Sequence, residues 1–513
     1  MKRVPRILCL TLAMVLVLSM TAFADSATTE KKTGGVLRYA SHITVPTPGY
    51  TPECTNNASL AYLTIAYESL TYYDSTGAII PKLATEWVTD ASEPSITWTL
   101  RQGVKFADGT DFNAEAVKRN IEEYQKCNRN ETANVDRCEV IDEHTVKMVL
   151  KAWNSATLES VGFFVYYMSP KALENVDALR ESSCGTGPFQ VTEFKSGVYV
   201  KYAKNSNYWQ EGKPYLDGLE MYTVGEPTTR SSAFQAGEYD IILMNNLTVA
   251  QELIAAGKYE QETNQSGVGL IATGLIPNSV DPASPFADAK VRQAMCYAID
   301  ADLLVEAFGY GMLTTTNQWA APGAITYNPD VKGYPYDIEK AKALLAEAGY
   351  PDGFDTTLYT DAGNKDIFTA AANMLAEAGI RANIELIDES TQVNLYSTGS
   401  WKGIMGHFHS ISPDLGLYMG RHLDKKGAFY APGIQHPDEA IELLEKIRTA
   451  PTNEEKVKLE YQMQVLIYDK LALFGKPLFI QREPVFKYNY VMDDNRSIDN
   501  VSTWSPENIW LNK

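Results

Sequence analysis

Signatures of catalysis and nucleotide binding are missing from these 513 residues. There is no G-x-S-x-G, no H-E-x-x-H, no G-x-x-x-x-G-K-[ST] and no G-x-G-x-x-G after a strand, so the usual sequence grounds for a serine hydrolase, zincin, P-loop NTPase or dinucleotide enzyme are absent. Carboxylates are plentiful, but no spacing singles out an acid and base pair. Cysteine is scarce at 6 and C-x-x-C does not occur, which removes the common zinc patterns. Positive charge is in deficit, with 45 Lys and Arg against 64 Asp and Glu and a net charge of −19. Such a surface argues against nucleic acid or anionic lipid as a partner and keeps an exported protein soluble. Beyond the first two dozen residues no apolar run approaches the length of a membrane span.

What opens the chain is Lys2, Arg3 and Arg6, then Ile7 to Met20 broken only by Thr11 and Ser19, then Ala22-Phe23-Ala24 before Asp25. That is the order of a secretory signal peptide, with cleavage expected after Ala24 and a periplasmic destination. Cys9 lies inside the apolar stretch and no cysteine stands at the cleavage point, so a lipoprotein is not expected. The rest has room for roughly three domains at about 150 residues each. Its cysteines are Cys54, Cys127, Cys138, Cys184 and Cys296. In an oxidising compartment Cys127 and Cys138 either close a small loop as a disulfide or stay as two thiols, and the odd count leaves at least one thiol unpaired.

The run Ile96 to Tyr124 has the clearest local structure. Ile96, Trp98 and Leu100 alternate as one face of a strand, Asp108-Gly109 supplies a turn, and Asn113 is placed to cap a helix. Val117, Ile121 and Tyr124 then fall on one side of that helix. The wording from Trp98 to Val117 resembles the W-x-L-R-x-G-V-x-F-x-D-G-x-x-x-x-A-E-x-V segment of bacterial extracellular solute-binding proteins of the dipeptide, oligopeptide and nickel class, family 5. These are the ligand-capturing subunits of ABC importers.

The resemblance continues in order through Tyr67-Glu68-Ser69-Leu70, Ala78 to Ala84, Gly185-Thr186-Gly187-Pro188-Phe189, Asn207-Tyr208-Trp209, Pro214 to Gly218, Phe234 to Ile241 and Asp288 to Asp300. It implies an α/β, two-lobed periplasmic binding protein fold, type II and cluster C-like, with an additional small domain. The implied division is signal peptide 1–24, linker 25–35, lobe I from 36–65, 185–277 and 480–513, small domain 66–184 and lobe II 278–479. A ligand cleft between the lobes, a small-molecule or peptide ligand and an ABC permease as partner follow from the same resemblance. A monomer is expected, with neither enzymatic activity nor cofactor nor metal. Arg292, inside a packed helical pattern, is assigned to a structural ion pair rather than to the ligand.

The resemblance breaks where ligand choice is made. Peptide-binding members carry an aromatic residue followed by an Asp that meets the peptide amine, and then a second Asp. Phe408 and Asp414 fall on the aromatic and the second Asp, while Ile411 replaces the amine-binding one. An ammonium entering a closed pocket needs a carboxylate or several acceptors, which Ile411 cannot supply. Either another acid such as Asp414 serves, or the ligand is not a free-amine peptide; oligosaccharides and metal chelates stay open. His407 and His409 share one face of an extended segment, and with His422 form the best metal candidate, although polar pocket lining or simple surface exposure is the preferred reading. Trp319 and Trp401 are candidates either for ligand stacking or for packing in a core or at a lobe edge. The expected ligand-binding set is His42, Trp319, Trp401, His407, Phe408, His409 and Asp414.

Overall fold

The structure is a computed structural model that describes residues 30–45, 47–54, 57–263, 270–427, 429–495 and 504–513. The expected signal peptide and its cleavage point lie outside the described residues. In the segment from 96 to 124 the local chemistry acts as read. Ser95–Leu100 is a strand whose Ile96, Trp98 and Leu100 are buried, and Asn113 accepts from the Ala116 amide at 3.0 Å to start helix Ala114–Lys126. That helix covers a four-stranded sheet ordered Ala84–Asp90, Ser95–Leu100, Thr145–Leu150, Val135–Asp142. Replacing Asn113 by alanine should destabilise this small domain by about 1 kcal/mol, read as a lower urea midpoint at unchanged slope.

Leu37, Tyr39 and Ala40 are all buried, so Val36–Ser41 is covered on both faces and sits mid-sheet. It runs parallel to Gly218–Thr223 on one side and Ile241–Leu243 on the other. Tyr199–Lys204 and Phe189–Lys195 extend one flank, and Pro484–Lys487 and Glu260–Thr263 the other, completing the seven-stranded sheet of lobe I. The six-stranded sheet of lobe II is ordered Leu313–Thr315, Lys476–Gln481, Ile271–Pro277, Ile404–Ser410, Phe354–Thr360, Ile380–Leu386. Phe354–Thr360, helix Lys365–Ala378 and Ile380–Leu386 form a strand-helix-strand unit, its two strands parallel.

Two sequence-level expectations shift here. The implied division kept 271–277 in lobe I, whereas Ile271–Pro277 pairs with Ile404–Ser410 and Lys476–Gln481 in the second sheet. Six of its seven residues are buried, so no alternation marks which sheet it joins. The chain therefore passes between the sheets after Thr263 and again at Arg482-Glu483. Arg292 is structural, but through carbonyls: Nε donates to Leu471 O at 3.0 Å, and Nη1 to Phe286 O and Ala287 O at 2.8 and 3.0 Å. Its helix packs on a loop whose carbonyls lack helical partners, and the guanidinium fork satisfies them without an acid.

No disulfide forms between Cys127 and Cys138. Cys127 ends helix Ala114–Lys126 with its sulfur 3.1 Å from Tyr50 Oη, and Cys138 remains a separate thiol in strand Val135–Asp142. The Gly185 to Phe189 motif brings the chain back from the small domain against the segment that entered it. A Cβ on Gly185 would come 2.2 Å from Ala66 O, and one on Gly187 2.6 Å from Ala66 C, so only glycine permits the two passes to touch.

The small domain also grips lobe II. Trp153 Nε1 donates to Ala450 O at 2.8 Å, Ser155 donates through N to Arg448 O at 2.8 Å and through Oγ to Ile447 O at 2.9 Å, and Ile325 N donates to Thr76 O at 2.9 Å.

Candidate functional site

Both chain crossings leave lobe I from the same edge of its sheet, since Thr263 lies opposite Pro484, and Val485 opposite Leu243. They enter lobe II where Ile271 faces Ser410 and Gln481. On the lobe I side, Val36–Ser41 has its parallel neighbours Gly218–Thr223 and Ile241–Leu243 on opposite sides, so its carboxyl end is the switch point at which open α/β sheets take their ligands.

His42 follows that strand directly. Its Nδ1 is inaccessible and unpartnered, and burial followed by the charge of Arg230 lowers its pKa to about 4. Arg230 comes from helix Pro227–Gln235, whose start is fixed by the Glu226 carboxylate accepting from the Thr228 and Thr229 amides. The Arg230 side chain is fully buried, donating to Val224 O and, at 2.6 Å, to Asn245 Oδ1, while its Nε has no partner. Glu483, in the second crossing, is recessed yet reached by solvent; burial pushes its carboxyl up to about 7, with Arg230 pulling the other way.

On the lobe II side, strand alternation sends His407 and His409 to one face and Phe408 to the other. The two imidazoles lie 4.7 Å apart between ring centres, and His409 is also 4.7 Å from His422 and 4.5 Å from Trp319. Tyr396 stacks on His407 at 4.3 Å and on Trp401 at 5.8 Å, which ties the second tryptophan into the same cluster. Five polar atoms here are buried without partners: His407 Nδ1, His409 Nε2, Trp319 Nε1, Trp401 Nε1 and Tyr418 Oη. Burial holds all three imidazoles neutral, His407 and His422 down to about 3 and His409 well below its ordinary value. Among the described residues no group of three or more His, Cys, Asp or Glu is placed to hold a metal ion.

The sign of the pH effect follows. Below the ordinary imidazole value of 6.5 the unfolded chain takes up protons that the folded cluster refuses, so stability falls as pH drops from 6.5 towards 3. Per histidine the unfolding constant rises by up to about tenfold per pH unit. The difference in melting temperature between wild type and His407→Asn should therefore narrow from pH 7 to pH 4. A constant difference would mean that the imidazole titrates normally.

Phe408 is 40 % exposed on the opposite face of the strand. Ile411 is buried and donates its amide to Leu270 O at 2.8 Å. Asp414 stands apart from the aromatic cluster in a buried ionic group. It caps helix Leu415–Leu423 by accepting from the Leu417 amide at 2.7 Å and pairs with Lys456. Glu460 Oε1 lies 3.9 Å from Lys456 Nζ and accepts from the Gly416 amide at 2.9 Å. Glu159 reaches the same group from the small domain, with its Oε1 buried and unpartnered. Burial and then the Asp414 charge raise Glu159 well above the carboxylate range, and burial raises Glu460 to about 7. Against burial, Lys456 holds Asp414 ionised.

Of the seven sequence candidates, Trp319, Trp401, His407 and His409 come together, Phe408 lies on the reverse of their strand, and His42 and Asp414 sit in two other places. Sequence reasoning passed over Arg230, Tyr396, Glu483 and Lys456. Glu483 had a faint signal, a lone acid in the apolar return Pro477 to Phe486, and Arg230 had none beyond its place in a helix.

The architecture is that of the two-lobed periplasmic binding proteins. In DppA from Helicobacter pylori, solved with the peptide STSA, it recurs with a TM-score of 0.73 at 23% identity, over 94% of this chain and 99% of that one. In CtaP from Listeria monocytogenes the TM-score is 0.82 at 19% identity, over 94% and 100%. At the sequence level, residues 78–430 match the family model for bacterial extracellular solute-binding proteins, family 5 Middle, and the chain belongs to that family. It is 33% identical over 332 residues to the glutathione-binding protein GsiB of Salmonella typhi, a match that covers 63% of this chain and 64% of that protein. The chain thus spans just under two thirds of the length of that relative. These matches are to binding proteins rather than enzymes, and among the described residues no helix is long and apolar enough to cross a membrane.

Proposed function

We propose that this chain is the extracytoplasmic solute-binding subunit of an ABC importer. It takes a small peptide-class solute into the cleft between its lobes and presents it to a membrane permease. Family membership over residues 78–430 carries the reading, and the identity to a glutathione-binding relative favours the peptide class. The two crossings serve as the hinge. The open form samples closure, and ligand contacts available only when both sheet edges meet shift the population to the closed form. His42 contributes from lobe I and Phe408 from lobe II, while Trp319, Trp401, His407 and His409 pack on the opposite face of the Phe408 strand and Asp414 caps the helix that follows it. The protein is a periplasmic monomer without catalytic activity, cofactor or nucleic-acid partner, exported by the leader cleaved after Ala24 and lacking a lipid anchor. The division into lobe I, small domain and lobe II stands as proposed, with 271–277 moved to lobe II.

An oligosaccharide or metal chelate is the second reading, favoured by the neutral rings and unpartnered polar atoms of the lobe II cluster. Native mass spectrometry of the purified protein identifies any retained solute, and small-angle scattering with reduced glutathione reads closure. Compaction is the expected result. No compaction with glutathione, with other short peptides or with the retained solute would sink the binding role.

A further inference from the structure

The small domain and lobe II meet along helix Thr157–Phe163, and contacts to lobe II hold that helix at both ends. Ser155, two residues before it, donates to the Arg448 and Ile447 carbonyls in the last turn of helix Asp438–Thr449. Phe164, directly after it, has the Arg421 guanidinium over its ring, with Cζ 5.7 Å from the ring centre. Glu159 lies between these two fixings. Ile447, which receives Ser155, also borders the acids of lobe II, since a Cβ on Gly416 would come 2.6 Å from Ile447 Cγ2 and 3.3 Å from both Asp414 Oδ1 and Glu460 Oε1. One helical turn beyond Ser155 therefore brings the buried Glu159 side chain to the Asp414, Lys456 and Glu460 group.

Three carboxyls and one ammonium are thus sealed together, all four side chains buried. Fully ionised, the group would hold two negative charges in excess with no solvent to spread them. The donors are unequally shared. Asp414 has Lys456 and the Leu417 amide, and Glu460 has the Gly416 amide at 2.9 Å with Lys456 Nζ 3.9 Å away. Glu159 Oε1 has none, and Tyr73 Oη, whose ring packs 4.3 Å from Phe163 at the end of the same helix, is also unpartnered. We propose that Glu159 is a proton-operated clasp, entering the lobe II group as the neutral acid when the small domain closes on lobe II and leaving it as the carboxylate when they part. The clasp goes beyond the reading of the ligand, because it acts in the empty protein as well, and rests only on the opening and closing of the lobes.

The direction follows from the surroundings. The groups facing Glu159 are Asp414 from the cap of helix Leu415–Leu423, Lys456 from helix Asn453–Gln464 with Glu460 one turn further on, and Tyr73 from strand Thr71–Tyr73. Arg448, close by, is engaged with Asp424 and Glu445. In the closed form, burial and then the Asp414 charge favour the proton on Glu159, and Lys456, already matched to Asp414, does not reverse this. In the open form, water restores a carboxyl with its ordinary value of 4.5. Closure therefore takes up a proton. From that value upward the closing equilibrium weakens by up to about tenfold for each unit of pH, and below it pH has no effect through this group.

The test is small-angle scattering of the full chain without ligand, from about pH 5 to about pH 8, for wild type beside Glu159→Gln. Glutamine copies the neutral acid, and an unchanged melting temperature at the acid end confirms the fold; if it falls, Glu159→Met, which needs no partner, takes its place. Both proteins keep the histidine cluster, so its effect on folding cancels in the comparison. The expected result is that wild type is compact at the acid end and expands as pH rises, whereas Glu159→Gln stays compact throughout. Wild-type dimensions that ignore pH, or a Glu159→Gln protein that expands in parallel with wild type, overturn the clasp. Compaction with glutathione or with a retained solute in those same samples would leave the binding role standing without it. If neither pH nor any solute compacts the chain, the clasp and the binding role fall together.

Discussion

Replacing Lys456 by methionine should lower stability by about 3–5 kcal/mol, the largest effect expected from any single charge in this molecule. The Lys456 side chain is 11% exposed and faces Asp414, Glu460 and, across the domain junction, Glu159. Removing it strands the Asp414 carboxylate in a medium that cannot solvate it, and it must then take up a proton or admit water. Adding Asp414→Asn should restore most of the loss, because asparagine keeps the helix cap and removes the stranded charge. Urea unfolding of the four proteins of this cycle at pH 7 measures the coupling. A loss below about 1 kcal/mol in the single variant would show that water reaches the cluster and that its charges are screened as on a surface.

Trp319→Ala should cost about 3–5 kcal/mol, the range for deleting a buried ring from a core that collapses only in part. Trp319 is 2 % exposed and packs edge-on to His409, and a Cβ on Gly274 would come 2.9 Å from its ring. Phe408→Ala, on the exposed reverse of the strand, should change stability by less than about 0.5 kcal/mol. The pair separates packing from ligand contact, since the sequence offered both residues as ligand-binding. If Trp319→Ala unfolds at nearly the wild-type urea concentration while losing ligand, the ring is a ligand platform; the packing predicts the reverse order for stability, with Phe408→Ala acting on binding alone.

Much of the architecture was legible in the sequence because its signals are local. Asn113, Asp288 and Asp337 each precede a helix, and each accepts from an amide in the first turn, whereas the capping role of Asp414 was not read. Two strands, over 356–360 and 382–387, were readable around a helix that stops at Gly379, and the structure pairs them in parallel. Ile271–Pro277 was not assignable, since a strand buried on both faces has no period that names its sheet. The site was harder for the same reason at longer range. Alternation places His407 and His409 together, but that His422 and Trp319 close over them depends on elements far apart in the chain. The neutralisation of Asp414 by Lys456 joins residues 42 positions apart. Arg292 looked like half of an ion pair because sequence shows charges and hides carbonyls.

The hydrogen bond from Trp153 to the Ala450 carbonyl has an optical consequence. Its indole is wedged, partly buried, at the junction of the small domain and lobe II, whereas Trp98, Trp319, Trp401 and Trp504 are sealed inside single cores. Any separation of that junction exchanges the carbonyl partner of the Trp153 indole for water. The emission of Trp153 therefore moves to longer wavelength on opening and back on closing, and the difference spectrum against Trp153→Phe makes the molecule its own label-free gauge of domain position, fast enough for stopped-flow mixing.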